Sequence, residues 1–202
     1  PAGKDALLVG LGGGHIATAL AQQDVATDAV EIDPVVAQAA RDFFLYKPSG
    51  VLLVGDARYE IRNLDKRYDF IIHDCFTGGA VPSHLLSVEM FRDLDRLLKA
   101  DGLLALNFVG FTQAPASAAI EAVYRTLGEI FPHRQVLVTL PGENFNDFIV
   151  LAAHQPISFD IPPEILAPDG ETPLYAWLAA HEQTVAEGGA LITDDFNPLE
   201  RL

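Results

Sequence analysis

The chain has 202 residues, half of them apolar, which is enough for one α/β domain with a complete hydrophobic core. Only 13 basic residues oppose 28 acidic ones, and the resulting net charge of −15 disfavours nucleic acid as a partner because phosphates would be repelled. The single cysteine, Cys75, excludes an internal disulfide and a multi-cysteine zinc site. A cationic substrate, or simple solubility, agrees with this charge, and no stretch has the length and apolarity of a membrane span.

The first predicted strand covers residues 6–9 and is continuously apolar, as in a buried parallel strand. It ends in a glycine-rich turn made of Gly10, Gly12, Gly13 and Gly14. Glycines let the backbone turn tightly and leave main-chain N–H groups open to a ligand. A dinucleotide fingerprint would need a further glycine where His15 stands, so the pattern favours an S-adenosylmethionine-type ligand, which has no pyrophosphate. A tight turn without a ligand is the alternative.

Carboxylates end the next three predicted strands. Glu31 follows the glycine turn by about twenty residues, the spacing at which a carboxylate meets a ribose diol in a βαβ unit. Asp56, in the motif Gly55-Asp56-Ala57, either accepts a hydrogen bond from an adenine amino group or caps the helix that begins at Ala57, and one residue can do both. Asp74 ends the fourth strand. Because ligands bind at the carboxyl ends of strands in open α/β sheets, these residues predict one site.

The remaining chain predicts helices over 34–44, 57–64, 84–100, 116–131 and 174–187 and strands over 102–109, 135–140 and 147–153. The last two strands are joined without a helix and must therefore be antiparallel, since a short connection cannot make a crossover. We predict an α/β, Rossmann-like class I methyltransferase fold. Its seven-stranded, mostly parallel sheet would end in a C-terminal antiparallel hairpin, with helices on both faces. Residues 1–202 are expected to form a single S-adenosyl-ligand-binding domain, with 155–202 as an extension packed on it.

These motifs resemble the catalytic domain of the spermidine synthase family, the polyamine aminopropyltransferases, and most closely a bacterial spermidine synthase-like group. The resemblance covers residues 6–153. It rests on the glycine run, Val30-Glu-Ile-Asp33, Gly55-Asp56-Ala57, Tyr68-Asp-Phe-Ile-Ile-His-Asp74, residues 82–91 and the ending 193–198.

The resemblance implies decarboxylated S-adenosylmethionine, or S-adenosylmethionine, as co-substrate and no metal. It implies Glu31 on the ribose hydroxyls, Asp56 and Ala57 against the adenine, and the glycine turn beside the methionine-derived part. Asp74 would accept a proton from the attacking amine, and methylthioadenosine would be the product nucleoside. The resemblance also implies a small-molecule amine as acceptor and a homodimer.

Two positions depart from the family pattern. The family continues its glycine run into an aspartate where this chain has His15, and it carries a second aspartate in the catalytic loop where this chain has Thr77. Methyl transfer to an unknown acceptor, and a non-catalytic nucleoside-binding module, therefore stay open beside aminopropyl transfer. No export signal opens the chain, so we expect a cytoplasmic domain without membrane contact. Attachment to a larger parent, and the family's N-terminal covering domain, stay open.

Other polar residues have structural explanations. His73 is expected to pack in the core on the face opposite Asp74, and Cys75 to be a small buried thiol. Asp194 and Asp195 either face the amine pocket or lie beside a turn with the following Asn-Pro pair, and we favour the turn. The six histidines are scattered without a pair at ligand spacing, so no metal site is predicted.

Overall fold

The computed structural model describes residues 3–76 and 82–201. The strands in this part of the chain are β1 (Lys4–Val9), β2 (Val25–Glu31), β3 (Leu52–Val54), β4 (Tyr68–His73), β5 (Leu98–Phe111), β6 (His133–Val138) and β7 (Phe145–Ala153). The α-helices are α1 (His15–Ala21), α2 (Pro34–Phe43), α3 (Ala57–Asn63), α4 (Val88–Leu97), α5 (Ala118–Gly128) and α6 (Leu174–His181). None of these helices is long and apolar enough to pass through a membrane.

The described strands form one sheet in the order β3-β2-β1-β4-β5-β7-β6. Strands β1 to β5 are parallel to one another, and β7 runs antiparallel to both β5 and β6. The predicted α/β class I methyltransferase-type architecture with a terminal antiparallel hairpin is confirmed. Its parallel order brings the carboxyl ends of β1 to β4 together at one edge.

Strand β1 is buried on both faces, which explains its continuous apolar sequence. Leu7 and Val9 belong to the larger core, which contains residues of α3, α4 and α5. Leu8 points the other way into a smaller core with Ala17 of α1 and Ala40 of α2. Helices therefore cover both faces of the sheet, as predicted.

Side-chain caps begin the helices close to the strand ends. Asp33 accepts a hydrogen bond from the Val35 N–H at 2.7 Å, with Pro34 in the first turn of α2 as expected. Asp56 accepts from the Tyr59 N–H at 2.9 Å, so the predicted cap of α3 is confirmed. Both caps place carboxylates at the edge where the parallel strands end.

The predicted helix over 84–100 is wrong in its bounds. A 3₁₀ turn, Ser83–Leu85, comes first, and α4 begins only at Val88 because Ser87 is extended and its hydroxyl accepts from the Met90 N–H. The helix ends before Leu98, which pairs with Tyr68, so β5 starts earlier than predicted and contains an irregularity before Leu103. Apolar residues recur at helical spacing through this whole region, and this spacing hid both breaks.

The C-terminal extension contacts both a strand and a helix of the sheet domain. Helix α6 ends at His181, earlier than predicted, because Glu182 is extended and bridges Leu137 of β6. Further on, the fully buried Ile192 donates its N–H to the Thr126 hydroxyl of α5 at 3.0 Å. These contacts fasten the extension to an edge strand and to one helix layer.

Asp28 of β2 is a buried carboxylate. It links β2 to the segments that begin β3 and β4, away from the carboxyl ends of the parallel strands. Its Oδ1 accepts from the Val51 N–H at 2.7 Å, and its Oδ2 accepts from Lys66 Nζ at 3.0 Å and Tyr68 OH at 2.9 Å. Burial by itself would raise the pKa of Asp28, but these hydrogen bonds and the lysine charge outweigh it and hold the pKa below its ordinary value of 3.8. Asp28 is thus ionised and stabilising at neutral pH.

The Asp28→Asn variant is expected to lose about 2 kcal/mol of unfolding free energy at pH 7, because an amide cannot satisfy all three donors. Urea denaturation against the wild type measures this loss. Folding lowers the pKa of the Asp28 carboxyl group. The difference in unfolding free energy between wild type and variant is therefore largest above the ordinary pKa of 3.8, and it shrinks as the pH falls below that value. The exposed Asp65→Asn is the matched control and should change stability by less than about 0.5 kcal/mol. Equal stability of the two variants would contradict a structural role for Asp28.

Candidate ligand-binding site

A cavity of about 610 Å³ opens at the carboxyl ends of β1 to β4. This volume is typical of sites that bind small organic molecules, about 300–1,000 Å³. The cavity wall brings together most of the residues predicted from the sequence, namely Gly10, Gly12, Gly13, Glu31, Asp56, Ala57 and Asp74. Gly14 is not part of the wall.

Two positions of the glycine turn require glycine for different steric reasons. Gly10 has φ +96°, and a Cβ there would collide with the carbonyl group of Asp74, lying 2.8 Å from its carbon. Gly14 has φ +75° and precedes α1, and a Cβ there would meet the ring of Tyr46 at 2.7 Å. Gly10 therefore permits close approach of the turns after β1 and β4. Gly14 instead makes room for the buried ring of Tyr46, and it does not line the cavity.

Glu31 is preset by the main chain around it. Its Oε2 accepts from the N–H groups of Leu11 at 3.1 Å and Gly12 at 3.2 Å, and its Oε1 accepts from the Asp33 N–H at 3.0 Å. A carboxylate offers about four acceptor positions, so these three donors leave room for a hydroxyl group of a ligand. The buried carboxylate thus has a defined orientation in the cavity wall.

Asp74 is held by a residue that the sequence analysis missed. Asn107 of β5 donates from Nδ2 to Asp74 Oδ1 at 2.9 Å, and the Asp74 N–H donates to the Val9 carbonyl at 2.8 Å. The Asn107 Oδ1 is buried and has no hydrogen-bond partner among residues 3–76 and 82–201. A polar amide inside the apolar β5 sequence was the available signal. The contact orients the Asp74 carboxylate at the cavity wall.

The wall also contains two histidines. His15 stands where the family pattern has an aspartate, and His84 was not predicted to belong to the site. The ring of His15 packs edge-on against Phe44, with 5.5 Å between the ring centroids. Thr77, the second departure from the family pattern, lies outside the described residues. Although carboxylates and histidines share the wall, no group of three or more His, Cys, Asp or Glu in the described part of the chain is placed to hold a metal ion.

Of the two residues beside Asp74, His73 lies in the core as expected, whereas Cys75 is only partly buried and lines the cavity. The Cys75 thiol donates to the Val9 carbonyl at 3.2 Å, and burial, together with the charges of Asp74 and Glu31, raises its pKa to about 12. It therefore stays protonated at neutral pH and is a poor nucleophile. His73 is fully buried, and this burial lowers its pKa to about 4, so the ring is neutral at pH 7.

Asp194 and Asp195 do not line the cavity. They lie in a turn in which Thr193 and Phe196 exchange main-chain hydrogen bonds, so the favoured interpretation is confirmed. Asp194 also forms an ion pair with Arg58 of α3 and accepts from the Ser87 hydroxyl at 2.6 Å. The turn is thereby connected to the elements next to the cavity.

Comparison with known proteins shows two kinds of transferase relative. The sequence model described as the spermine/spermidine synthase domain matches residues 1–155. The polyamine aminopropyltransferase of Vibrio vulnificus is 31% identical over 97% of this chain and 69% of its own length. The N-terminal histidine N-methyltransferase of Emericella nidulans is 35% identical over 80% of this chain, which spans only 30% of that relative.

The fold is also found in a solved structure, a probable spermidine synthase from Corynebacterium glutamicum. The TM-score is 0.69 at 19% identity, over 93% of this chain and 73% of the other. At this level of identity the likeness establishes the architecture alone.

Proposed function

We propose that this chain, which belongs to the spermine/spermidine synthase domain family, transfers an aminopropyl group from decarboxylated S-adenosylmethionine to a small-molecule amine. The observation that carries the proposal is the cavity that gathers Glu31, Asp56 and Asp74 around the glycine turn. The 31% sequence identity to the Vibrio vulnificus polyamine aminopropyltransferase, over 97% of this chain, supports the same activity.

The cavity residues suit the parts of such a nucleoside. Glu31, already oriented by three N–H groups, would accept hydrogen bonds from the ribose hydroxyls. Asp56 would accept from the adenine amino group while the small Ala57 leaves space beside the base. The glycine turn would leave its main chain open to the remainder of the ligand because no side chain intervenes. Each role matches a residue that lines the cavity.

The chemistry requires a base at the position of Asp74. An amine is a nucleophile only when unprotonated, so a carboxylate must accept its proton as the nitrogen attacks the carbon next to the sulfonium. The new C–N bond forms, the C–S bond breaks, and the sulfur keeps the electron pair and becomes the neutral thioether of methylthioadenosine. The hydrogen bond from Asn107 keeps the Asp74 carboxylate in place for this role. Acidic walls also attract the cationic amine and sulfonium.

Methyl transfer from S-adenosylmethionine is the second candidate. It is favoured by 35% identity to the N-terminal histidine N-methyltransferase of Emericella nidulans and by His15, which lines the cavity. A histidine would not attract the ammonium group of an aminopropyl chain, whereas it tolerates the carboxylate of S-adenosylmethionine. The product nucleoside would then be S-adenosylhomocysteine.

Mass spectrometry of the reaction products separates the candidates. The purified chain is incubated with putrescine and either decarboxylated S-adenosylmethionine or S-adenosylmethionine. Spermidine together with methylthioadenosine supports aminopropyl transfer, and a methylated acceptor with S-adenosylhomocysteine supports methyl transfer. Tight nucleoside binding without a product from a panel of amines would favour a non-catalytic binding module and overturn both.

The Glu31→Gln variant is expected to bind methylthioadenosine about 10- to 100-fold more weakly, since hydrogen bonds to a charged group contribute about 1.5–3 kcal/mol. The neutral amide also fits less well among three N–H donors. Isothermal titration calorimetry measures the change. Glu164→Gln, the same substitution at an exposed position, is the control and should bind like the wild type. Equal affinity of both variants would refute the ribose role of Glu31.

The proposal extends to location and assembly. Resemblance to the family supports a cytoplasmic homodimer, and the net charge of −15 argues against nucleic acid as a partner. Analytical ultracentrifugation tests the assembly, because a dimer would sediment with twice the chain mass of 21.8 kDa.

A further inference from the structure

The turn Ser83–Leu85 is held by residues 192–197, which we name the C-terminal strap. Asn197 Nδ2 donates to the Ser83 carbonyl at 2.9 Å, across 114 residues of sequence. On the other side of the turn, Ser87 donates its hydroxyl to Asp194, and the Val88 N–H donates to the Ile192 carbonyl at 2.9 Å. Both ends of the turn are therefore tied to the strap.

Arg58 joins the strap and the turn to helix α3. Its guanidinium forms an ion pair with Asp194 and donates to the His84 carbonyl at 3.3 Å. The Arg58 side chain is only 15% exposed, and its hydrogen bond is the main cause that lowers the pKa of Asp194. One arginine thus connects the first turn of α3, the 3₁₀ turn and the strap.

The start of α3 and the turn Ser83–Leu85 both contribute residues to the wall of the cavity. Asp56 and Ala57 lie at the start of α3, directly before Arg58, and His84 and Leu85 lie in the turn that Arg58 contacts. Leu85 is almost fully buried, so the turn presents an apolar surface to the cavity. A flat base with an amino group matches a slot that combines the Asp56 carboxylate with small and apolar side chains.

We propose that the Arg58–Asp194 pair is a positioning device that sets the distance between the start of α3 and the turn Ser83–Leu85 and thereby the affinity for the nucleoside base. The inference rests on the proposed function and assigns a role to the strap, which lies outside the cavity. Asp194 touches neither the ligand space nor the proposed base, Asp74, so its effect on binding is indirect.

The strap has an anchor that does not depend on Asp194. Ile192 is fully buried, and its N–H is accepted by the Thr126 hydroxyl. Loss of Asp194 is therefore expected to loosen the turn, which keeps its hydrogen bond from Asn197, while the strap stays attached and the chain stays folded. The Tm should fall by about 3 °C or less. This separation makes the positioning role testable.

The test compares Asp194→Ala with Asp195→Asn in the full chain. Asp195 is the next residue, is exposed, and forms no hydrogen bond or ion pair with any residue in 3–76 or 82–201. Hydrogen–deuterium exchange of the Leu85 and Leu86 amides reports on the turn, since they donate to the carbonyls of Pro82 and Ser83 respectively. Calorimetry reports the Kd of methylthioadenosine, and steady-state kinetics report kcat and KM.

We expect Asp194→Ala to speed exchange of both amides about tenfold and to raise the Kd about fivefold. In the same variant KM for the nucleoside should rise while kcat changes less than about twofold, because the proposed base is untouched. Asp194→Asn, which keeps one of the two oxygens that accept from Ser87 and Arg58, should show smaller changes, and Asp195→Asn none.

Unchanged exchange in Asp194→Ala would overturn the proposal, and so would faster exchange with an unchanged Kd. A wild-type chain that binds no methylthioadenosine would instead overturn the proposed function. The exchange data would then decide by themselves whether the pair holds the turn.

Discussion

Asp74→Asn is expected to lower kcat by about 10²- to 10⁴-fold while nucleoside affinity stays close to that of the wild type. The amide has the size of the carboxylate and can still accept the hydrogen bond from Asn107 through its carbonyl oxygen, so the local structure is retained. It cannot accept the proton of an attacking amine. The loss should therefore appear in kcat, measured by product formation at saturating substrate.

Two further measurements make this prediction specific. Asp65→Asn, the same substitution at an exposed position that does not line the cavity, should retain wild-type kcat. Calorimetry with methylthioadenosine should give Asp74→Asn about the same Kd as the wild type, because the carboxylate is proposed to act on the amine and not to hold the nucleoside. Wild-type turnover by Asp74→Asn would show that another group accepts the proton and would exclude Asp74 as the base.

Gly10→Ala is expected to destabilise the chain by at least about 3 kcal/mol and to abolish nucleoside binding, because strain and a main-chain collision add. The new Cβ would overlap the carbonyl group of Asp74, and main-chain atoms cannot rotate away as a flexible side chain could. The backbone at φ +96° adds strain for any residue with a Cβ. Urea denaturation and calorimetric titration with methylthioadenosine measure the two effects.

Gly12→Ala is the matched control for this prediction. Gly12 also has positive φ, +51°, but a Cβ there would meet nothing within 4 Å. Gly12→Ala should therefore lower the unfolding free energy only by the strain of a left-handed backbone conformation, about 1–2 kcal/mol. If Gly10→Ala and Gly12→Ala proved equally stable, close packing between the turns after β1 and β4 would not be the reason for glycine at position 10.

The candidate site could be predicted to the extent that it depends on strand ends. Glu31 and Asp74 each end an apolar run, and in a parallel sheet such ends meet at one edge, so their convergence on one cavity followed from topology. The cap formed by Asp56 followed from its position before a helix. In these cases a few neighbouring residues are enough to determine where the side chain lies.

Residues that act across the fold could not be predicted in this way. Asn107 reaches Asp74 from a strand 33 positions further along, and Asp194 reaches Arg58 across 136 positions. The bounds of α4 were hidden because apolar residues keep a helical spacing on both sides of Ser87, whose hydroxyl caps the first turn of the helix. No local pattern records which polar groups meet after the chain has folded.

The amino-acid sequence by itself determined the parallel sheet, the glycine turn and the edge at which the carboxylates gather, since apolar runs, glycines and caps act over a few neighbouring residues. The tertiary structure alone decided how these groups are oriented. Main-chain donors preset Glu31, Asn107 holds Asp74, and the strap holds the turn Ser83–Leu85 through Arg58. Orientation depends on hydrogen bonds between distant segments, and those contacts exist only once hydrophobic burial has brought the segments together.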